Sequence, residues 1–151
     1  EQALLEALNN GRLSHYVTDF PTSGLLTSDK TILLPHIGAS TEEAEENCAI
    51  MAADQLREFL ENGNIRNSVN FPVLSLEKSA GHRIAIVNQN VPRMLGQILS
   101  ILADKDINIL DMLNKSRDDI AYNLIDIETP LSEETLSEIR SIEHVIKVWQ
   151  L

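Results

Sequence analysis

The segment His82–Leu151 alternates between two hydrophobic periods, and this alternation constrains the fold more than any other feature of the sequence. Four stretches carry the alternating or continuous apolar pattern of strands: 82–88, 107–115, 120–128 and 145–151. Two stretches repeat apolar residues every three or four positions, as helices do: 92–105 and 132–142. With right-handed crossovers, this order predicts a ferredoxin-like βαββαβ fold, with both helices on one face of a four-stranded antiparallel sheet.

Residues 1–60 carry a different pattern of two helices and two short strands. Helices are predicted over 1–9 and 41–60, and strands over 16–19 and 31–34. Ser40 is the expected cap of the second helix, because Glu43 follows three residues later and completes a capping box. Cys48 lies on the apolar stripe of that helix, so we expect it to be buried as a small hydrophobic residue.

Residues 61–81 change in character and suggest a domain boundary. They contain Asn62-Gly63-Asn64, an isolated Phe71-Pro72 and Ser79-Ala80-Gly81, and no sustained helix or strand pattern. We interpret them as an extended linker between a first domain at 1–60 and a second at 82–151.

The charge of the chain excludes several classes of function. Lys and Arg number 12 against 23 Asp and Glu, which leaves a formal charge of −11. Such a chain lacks the basic face that binding to nucleic acid or to an anionic membrane needs, so neither partner is expected. The single cysteine cannot form an internal disulfide, which favours a cytoplasmic location. Histidine and cysteine are not clustered, so no metal site is predicted.

Within the second domain, the junction at 88–92 is the candidate site. A strand ends there and a helix begins, in the sequence Asn88-Gln89-Asn90-Val91-Pro92, and Asn108 opens the next strand. Backbone N–H groups at a helix start attract carboxylates, and amide side chains both donate and accept hydrogen bonds. These asparagines suit a site for a small polar ligand, but from the residues alone we favour the simpler interpretation that they are caps and turn residues.

Several motifs together resemble one enzyme family. They are Asp19-Phe20-Pro21-Thr22, then Pro-His-Ile-Gly-Ala-Ser-Thr over 35–41, and Ser68-Val69-Asn70-Phe71-Pro72. This combination resembles the D-isomer-specific 2-hydroxyacid dehydrogenases, and His82–Leu151 resembles the ACT regulatory domain found in those that oxidise 3-phosphoglycerate. The resemblance implies an α/β chain in which the remnant of a Rossmann-type dehydrogenase domain precedes a ferredoxin-like ACT domain.

The resemblance also implies chemical roles for residues in the first domain. The family oxidises 3-phosphoglycerate to 3-phosphohydroxypyruvate with NAD, as the entry to L-serine biosynthesis. His36 would be the general base, and Asp19 and Gly38 would lie on the cofactor side. Ser23 stands where the family has the glutamate that orients the histidine. We therefore expect either a changed partner for His36 or a shift of the alignment.

For the second domain, the resemblance implies an amino-acid effector, possibly L-serine, bound between two subunits. Asn88, Asn90 and Asn108 match the positions that contact it, and Arg93 and Asp106 replace two glycines of the family. We accordingly expect a homodimer or higher homo-oligomer formed through ACT domains, in which edge strands pair and are protected.

Two functional hypotheses follow. The first is a C-terminal fragment of the dehydrogenase, which we expect to be inactive alone and not to bind NAD, because its six glycines form no Gly-x-Gly-x-x-Gly turn for the dinucleotide. The alternative is a non-enzymatic ACT module that binds an amino acid or dimerises. A coding sequence for a nucleotide-binding domain upstream of Glu1 would distinguish them.

Overall fold

The computed structural model describes all 151 residues and divides them into two compact units, 1–50 and 51–151. The first unit contains α1 (Gln2–Asn9), β1 (Tyr16–Thr18), a 3-10 turn (Leu25–Thr27), β2 (Thr31–Leu33) and the start of α2 (Glu42–Asn62). The second contains the end of α2 and then β3 (His82–Gln89), α3 (Met94–Asp104), β4 (Ile109–Arg117), β5 (Ile120–Ile127), α4 (Glu133–Ser141) and β6 (Val145–Gln150). No helix combines the length and apolar character needed to cross a bilayer.

In the first unit, β1 and β2 form a two-stranded parallel sheet, in which Tyr16 pairs with Thr31 and Thr18 with Leu33. Leu8 of α1 and Leu25 of the 3-10 turn are its buried apolar residues. A parallel pair joined by a crossover is the expected local geometry of a Rossmann remnant. The assignment of this unit to a Rossmann domain remains a prediction.

The start of α2 corrects two expectations. Thr41, not Ser40, caps the helix, because its hydroxyl accepts a hydrogen bond from Ala44 N at 3.2 Å. The prediction that Cys48 is buried is also wrong, since Cys48 is exposed. No residue of α2 is fully buried, so its apolar periodicity marks a helix but does not imply that the whole stripe is enclosed.

The second unit has the predicted ferredoxin-like fold. Its four strands lie in the order β4-β5-β3-β6, and every neighbouring pair is antiparallel. Both crossover helices contribute to one buried cluster with the sheet, through Ile98 and Leu102 of α3 and Leu136 and Ile139 of α4. The two helices therefore lie on one face of the sheet, as the sequence predicts.

The opposite face of the sheet is also covered. Ile65, Leu74 and Leu76 are buried in a second cluster with residues of β3 and β5, and Phe59 of α2 packs against it. Ile65 and Leu74 join their backbones in an antiparallel bridge. The segment interpreted as a linker thus packs on the sheet, which explains why β5 is buried along nearly its whole length. The domain boundaries drawn from the sequence stay a prediction.

Candidate functional site

His36 and Asp19 form a pair at one edge of the first unit's sheet. Asp19 directly follows β1, and His36 comes three residues after the end of β2. Because the two strands are parallel, their carboxyl ends lie at the same edge. The His36 Nδ1 and Asp19 Oδ2 atoms are 3.1 Å apart. The sheet therefore positions an imidazole and a carboxylate for a hydrogen bond.

This contact determines which nitrogen of the imidazole can act as a base. When Nδ1 carries the proton and donates a hydrogen bond to Asp19, the lone pair of the neutral ring lies on Nε2. The Phe20 ring stands edge-on to the imidazole, with centroids 5.5 Å apart, and restricts its orientation. The His36 side chain is 65% exposed and that of Asp19 53%, so a substrate can reach Nε2 from solvent.

The sequence interpretation placed Asp19 on the cofactor side and missed it as the partner of His36. A carboxylate orients this histidine, but it comes from Asp19 and not from the position of Ser23. The signal was present in the sequence, because Asp19 ends one predicted strand, His36 follows the other, and parallel strands end at one edge. Gly38 lies in the loop beyond His36, where a Cβ atom would meet nothing within 4 Å, so its backbone is open to approach.

In the second unit, Asn88 and Asn90 lie together beside the start of α3. Both line a cavity of about 280 Å³ that also includes Asn114 and the residues Arg93, Met94, Leu95 and Gly96. We call this cavity the asparagine pocket. Asn90 is fixed by its side-chain amide, which donates to Asp118 O at 3.1 Å. Amide groups and a helix N-terminus therefore surround the same small space.

A buried residue that the sequence interpretation overlooked organises this pocket. Asn123 of β5 is completely buried, and its Nδ2 donates to Asn88 Oδ1 at 2.8 Å. Its Oδ1 accepts a hydrogen bond from Asn114 Nδ2 at 2.6 Å. An asparagine inside an apolar strand could have indicated this network, because buried amides need partners. The network fixes the amide orientations of two pocket residues in advance.

Asn108 lies away from the other two predicted effector residues. It precedes β4, and its carbonyl accepts a hydrogen bond from Glu128 N, beside the Ile109–Ile127 pair. Asn88 pairs instead with Ala121, six residues along β5 from Ile127, which is about 20 Å at strand spacing. Within one chain, the structure brings Asn88 and Asn90 together but not Asn108.

The two positions where the resemblance expects glycine retain a backbone that glycine prefers. Arg93 has φ of +74° and Asp106 has φ of +54°, both in the left-handed region. Arg93 stands at the N-terminal boundary of α3 and lines the asparagine pocket. Arg93 therefore combines a backbone angle typical of glycine with a cationic side chain at the asparagine pocket.

Comparison with known proteins gives relatives over nearly the whole chain. It is 32% identical over 158 residues to D-3-phosphoglycerate dehydrogenase of Escherichia coli strain K12, covering 96% of this chain and 38% of that protein. The Haemophilus influenzae protein of that name is 32% identical over 157 residues, with the same coverage. D-3-phosphoglycerate dehydrogenase 2 of Saccharomyces cerevisiae is 39% identical over 127 residues, covering 80% of this chain and 26% of that protein.

No family model matches the chain. Among solved structures, the ACT domain from GTP pyrophosphokinase of Chlorobium tepidum covers 46% of this chain and 95% of its own, with 22% sequence identity and a TM-score of 0.41.

The chain thus spans 38% of the length of its bacterial relatives and matches them along 96% of its own. The ferredoxin-like second unit has the strand order expected of an ACT domain. Over nearly its whole length, the chain is similar to a C-terminal, ACT-containing part of the D-3-phosphoglycerate dehydrogenases.

Proposed function

We propose that this chain supplies the proton-transfer residues and the regulatory domain of an NAD-dependent enzyme that oxidises 3-phosphoglycerate to 3-phosphohydroxypyruvate. The observation that carries this proposal is the His36–Asp19 pair at the carboxyl ends of two parallel strands. The similarity of the chain to D-3-phosphoglycerate dehydrogenases also supports the proposal. The same proposal places the protein in L-serine biosynthesis and in the cytoplasm.

In this mechanism, His36 removes the hydroxyl proton of the substrate. Nε2 accepts that proton as the carbinol carbon loses its hydride, and the ring becomes an imidazolium. Asp19 accepts the Nδ1 hydrogen bond, which selects the reactive tautomer, and its negative charge stabilises the imidazolium. The chain's own contribution is thus a base of fixed orientation.

The residues present fit only part of an NAD site. An oriented base beside the exposed backbone at Gly38 suits the nicotinamide side, where NAD, when bound, accepts the hydride. The chain has no Gly-x-Gly-x-x-Gly turn to hold the pyrophosphate. We therefore propose that these 151 residues alone neither bind NAD tightly nor turn over substrate. Calorimetric titration with NAD tests this, and tight binding would overturn it.

Replacing His36 tests the proposed base. In a chimera where this chain replaces the matching part of the Escherichia coli relative, His36→Gln should lower kcat by about 10²–10⁴-fold, the usual contribution of a general base. NADH absorbance with 3-phosphoglycerate is the measurement. His15→Gln, which changes an exposed histidine of the same unit, is the control and should leave kcat unchanged. Equal activity of both variants would refute the role of His36.

Replacing Asp19 tests the orientation of that base. Asp19→Asn keeps the shape of the side chain but removes its charge, so the imidazolium loses its stabilising partner. In the same chimera we expect kcat to fall at least about tenfold while KM for 3-phosphoglycerate changes little. Asp29→Asn, at an exposed aspartate, is the matched control. A change in KM alone would assign Asp19 to substrate binding instead.

We further propose that the asparagine pocket binds an amino-acid effector, possibly L-serine. Asn88 and Asn90 offer amide groups, and the start of α3 with Arg93 suits a carboxylate. Calorimetry with L-serine should give a saturable signal, which Asn90→Ala weakens. No heat at millimolar L-serine would count against this effector. It would leave the dehydrogenase assignment standing, because the two sites share no residue.

The effector proposal requires a second copy of the chain. Asn108 precedes β4, whereas the asparagine pocket lies near the other end of that strand, where Asn90 N donates to Asp119 O. If two β4 strands pair antiparallel across a two-fold axis, the start of one strand meets the end of the other. Asn108 of one copy would then approach the pocket of the second, so we propose a homodimer through β4.

A further inference from the structure

A second, larger cavity lies on the sheet face opposite α3 and α4. Its volume is about 740 Å³, within the range of small-molecule pockets. The last turns of α2 and the segment after Gly63 form its walls, together with Tyr122 of β5 and Trp149 of β6. We call it the aromatic cavity. It shares no lining residue with the asparagine pocket and lies wholly within the second unit.

Four aromatic rings give the cavity its chemical character. Phe59 and Trp149 have centroids 5.9 Å apart, Tyr122 and Trp149 6.2 Å, and Phe71 and Tyr122 6.0 Å. The Tyr122 hydroxyl donates to Gly63 O at 2.8 Å, so its polar group is already satisfied. These rings account for four of the six Phe, Trp and Tyr residues in the chain. Such a wall binds flat apolar groups by stacking and edge contacts.

Two cations line the same cavity, and no acidic residue does. Lys147 Nζ lies over the Trp149 ring, 5.7 Å from its centre, which is within the range of a cation–π contact. Neither Lys147 nor Arg66 forms a salt bridge. The chain has a net charge of −11, yet two cations without a salt-bridge partner line this apolar cavity. They favour the binding of a ligand that carries a negatively charged group.

Glu58, the carboxylate on which the charge of Arg66 acts, already has two hydrogen-bond partners of its own. Glu58 accepts hydrogen bonds from Asn62 and Asn64, and these, with the more distant charge of Arg66, hold its pKa below the usual range. Asn64 in turn accepts a hydrogen bond from Leu76 N at 2.9 Å. The polar edge of the cavity is therefore preorganised, while the guanidinium of Arg66 remains available.

We propose that the aromatic cavity is a binding site for a small molecule with a flat aromatic body and one anionic group. The body packs against the partly exposed rings of Phe59, Phe71 and Trp149, and the anion lies between Arg66 and Lys147. This ligand class differs from a small polar amino acid, for which the cavity is too large and too apolar. The site therefore stands independently of the effector proposal.

The test compares two isosteric probes, 2-naphthoate and the uncharged 2-naphthamide. Trp149 is the only tryptophan, so its indole N–H gives a single cross-peak in a ¹H–¹⁵N spectrum of the full chain. We expect 2-naphthoate to shift this peak in a saturable manner and to bind about tenfold more tightly than 2-naphthamide. That ratio corresponds to about 1.4 kcal/mol for the charge.

Charge-neutralising variants identify the source of this preference. In the Arg66→Gln, Lys147→Gln double variant, the two probes should bind with equal affinity. Lys78→Gln, at an exposed lysine outside the cavity, is the control and should keep the tenfold preference. The proposal is overturned if the Trp149 peak does not respond to 2-naphthoate, if the two probes bind wild-type protein equally, or if the double variant keeps the preference.

Discussion

At the residue scale, Arg83 and Asp126 form the only ion pair that is completely removed from solvent. Arg83 Nη2 donates to Asp126 Oδ2 at 2.8 Å, and its Nη1 donates to Asn62 O and Leu76 O, both at 2.9 Å. These partners hold the Arg83 side chain in one position. Its hydrogen bonds to Asn62 and Leu76 connect the end of α2 and the segment after it to β3. Removing one partner of such a pair costs about 3–5 kcal/mol.

This pair predicts how stability depends on pH. Burial raises the pKa of Asp126, but hydrogen bonds from Arg83 and Ser79 outweigh it and hold the pKa below the usual range. Because the folded-state pKa is lowered, the ionised form stabilises the fold above about pH 4 and this contribution is lost as the pH falls further.

We therefore expect the free energy of unfolding to decrease below about pH 4 in wild-type protein. Asp126→Asn should be less stable at pH 7 by about 3 kcal/mol and show a weaker decrease in acid. Urea unfolding at several pH values is the measurement. Asp104→Asn, at an exposed aspartate, should follow the wild-type curve. An unchanged acid decrease in Asp126→Asn would contradict the assignment.

A single backbone angle gives another residue-scale prediction. Arg93 adopts φ of +74°, which costs a side-chain-bearing residue about 1–2 kcal/mol relative to glycine. Arg93→Gly should therefore raise the free energy of unfolding by about 1 kcal/mol, measured as a higher midpoint of urea unfolding. Arg93→Ala keeps the Cβ atom, so its free energy of unfolding should not rise above that of the wild type. A loss of stability in Arg93→Gly would mean that side-chain contacts outweigh the strain.

At the element scale, the end of α2 depends on one glycine. Gly63 has φ of +71°, and its N–H donates to Phe59 O at 2.9 Å, closing the helix. A Cβ atom there would lie 2.7 Å from side-chain carbons of Leu124 and Leu151. The helix therefore ends where the chain must turn closely onto the sheet, a role that only glycine fills.

Two glycine-to-alanine changes should have opposite signs. Gly63→Ala should destabilise the protein by at least about 2 kcal/mol, because it adds both backbone strain and steric overlap. Gly96 lies inside α3, and a Cβ atom there meets nothing within 4 Å. Gly96→Ala should therefore stabilise by about 1 kcal/mol through helix propensity. Thermal unfolding of both variants checks this, and equal effects would refute the argument.

At the scale of the whole molecule, the four-stranded sheet has two edge strands that pair with no neighbour on their outer side within a single chain. The edges are β4, with nine residues, and β6, with six. An unpaired edge invites association with another strand, and β4 offers the longer one. Leu110 of β4 is 45% exposed, and Ile146 of β6 is 57% exposed. Both edges thus carry an apolar side chain open to solvent.

Light scattering should give a mass of about twice 16.8 kDa for the wild-type chain. Because we place the dimer at β4, Leu110→Lys should shift the protein towards the monomer, since it buries a charge at the interface. Ile146→Lys at the other edge is the matched control and should remain dimeric. A monomer in Ile146→Lys with a dimer in Leu110→Lys would place the interface at β6 instead.

Within each element, much could be predicted from sequence because the periods of strands and helices are local. The alternating pattern of 120–128 and the helical spacing of 92–105 gave the second unit's elements to within about two residues, and with them the βαββαβ order. Periodicity reports only that one side of an element is apolar, however. It did not reveal that α2 leaves Cys48 exposed.

By itself, the sequence determined the kinds and order of elements and the motifs that resemble a dehydrogenase with a regulatory domain. Only the tertiary structure decided that residues 63–76 cover the sheet's second face, that Asp19 pairs with His36, and that Asn123 links Asn88 to Asn114. The physical reason is distance along the chain. Local periods encode φ and ψ preferences, whereas contacts between residues 17 or 35 positions apart depend on how whole elements pair and pack.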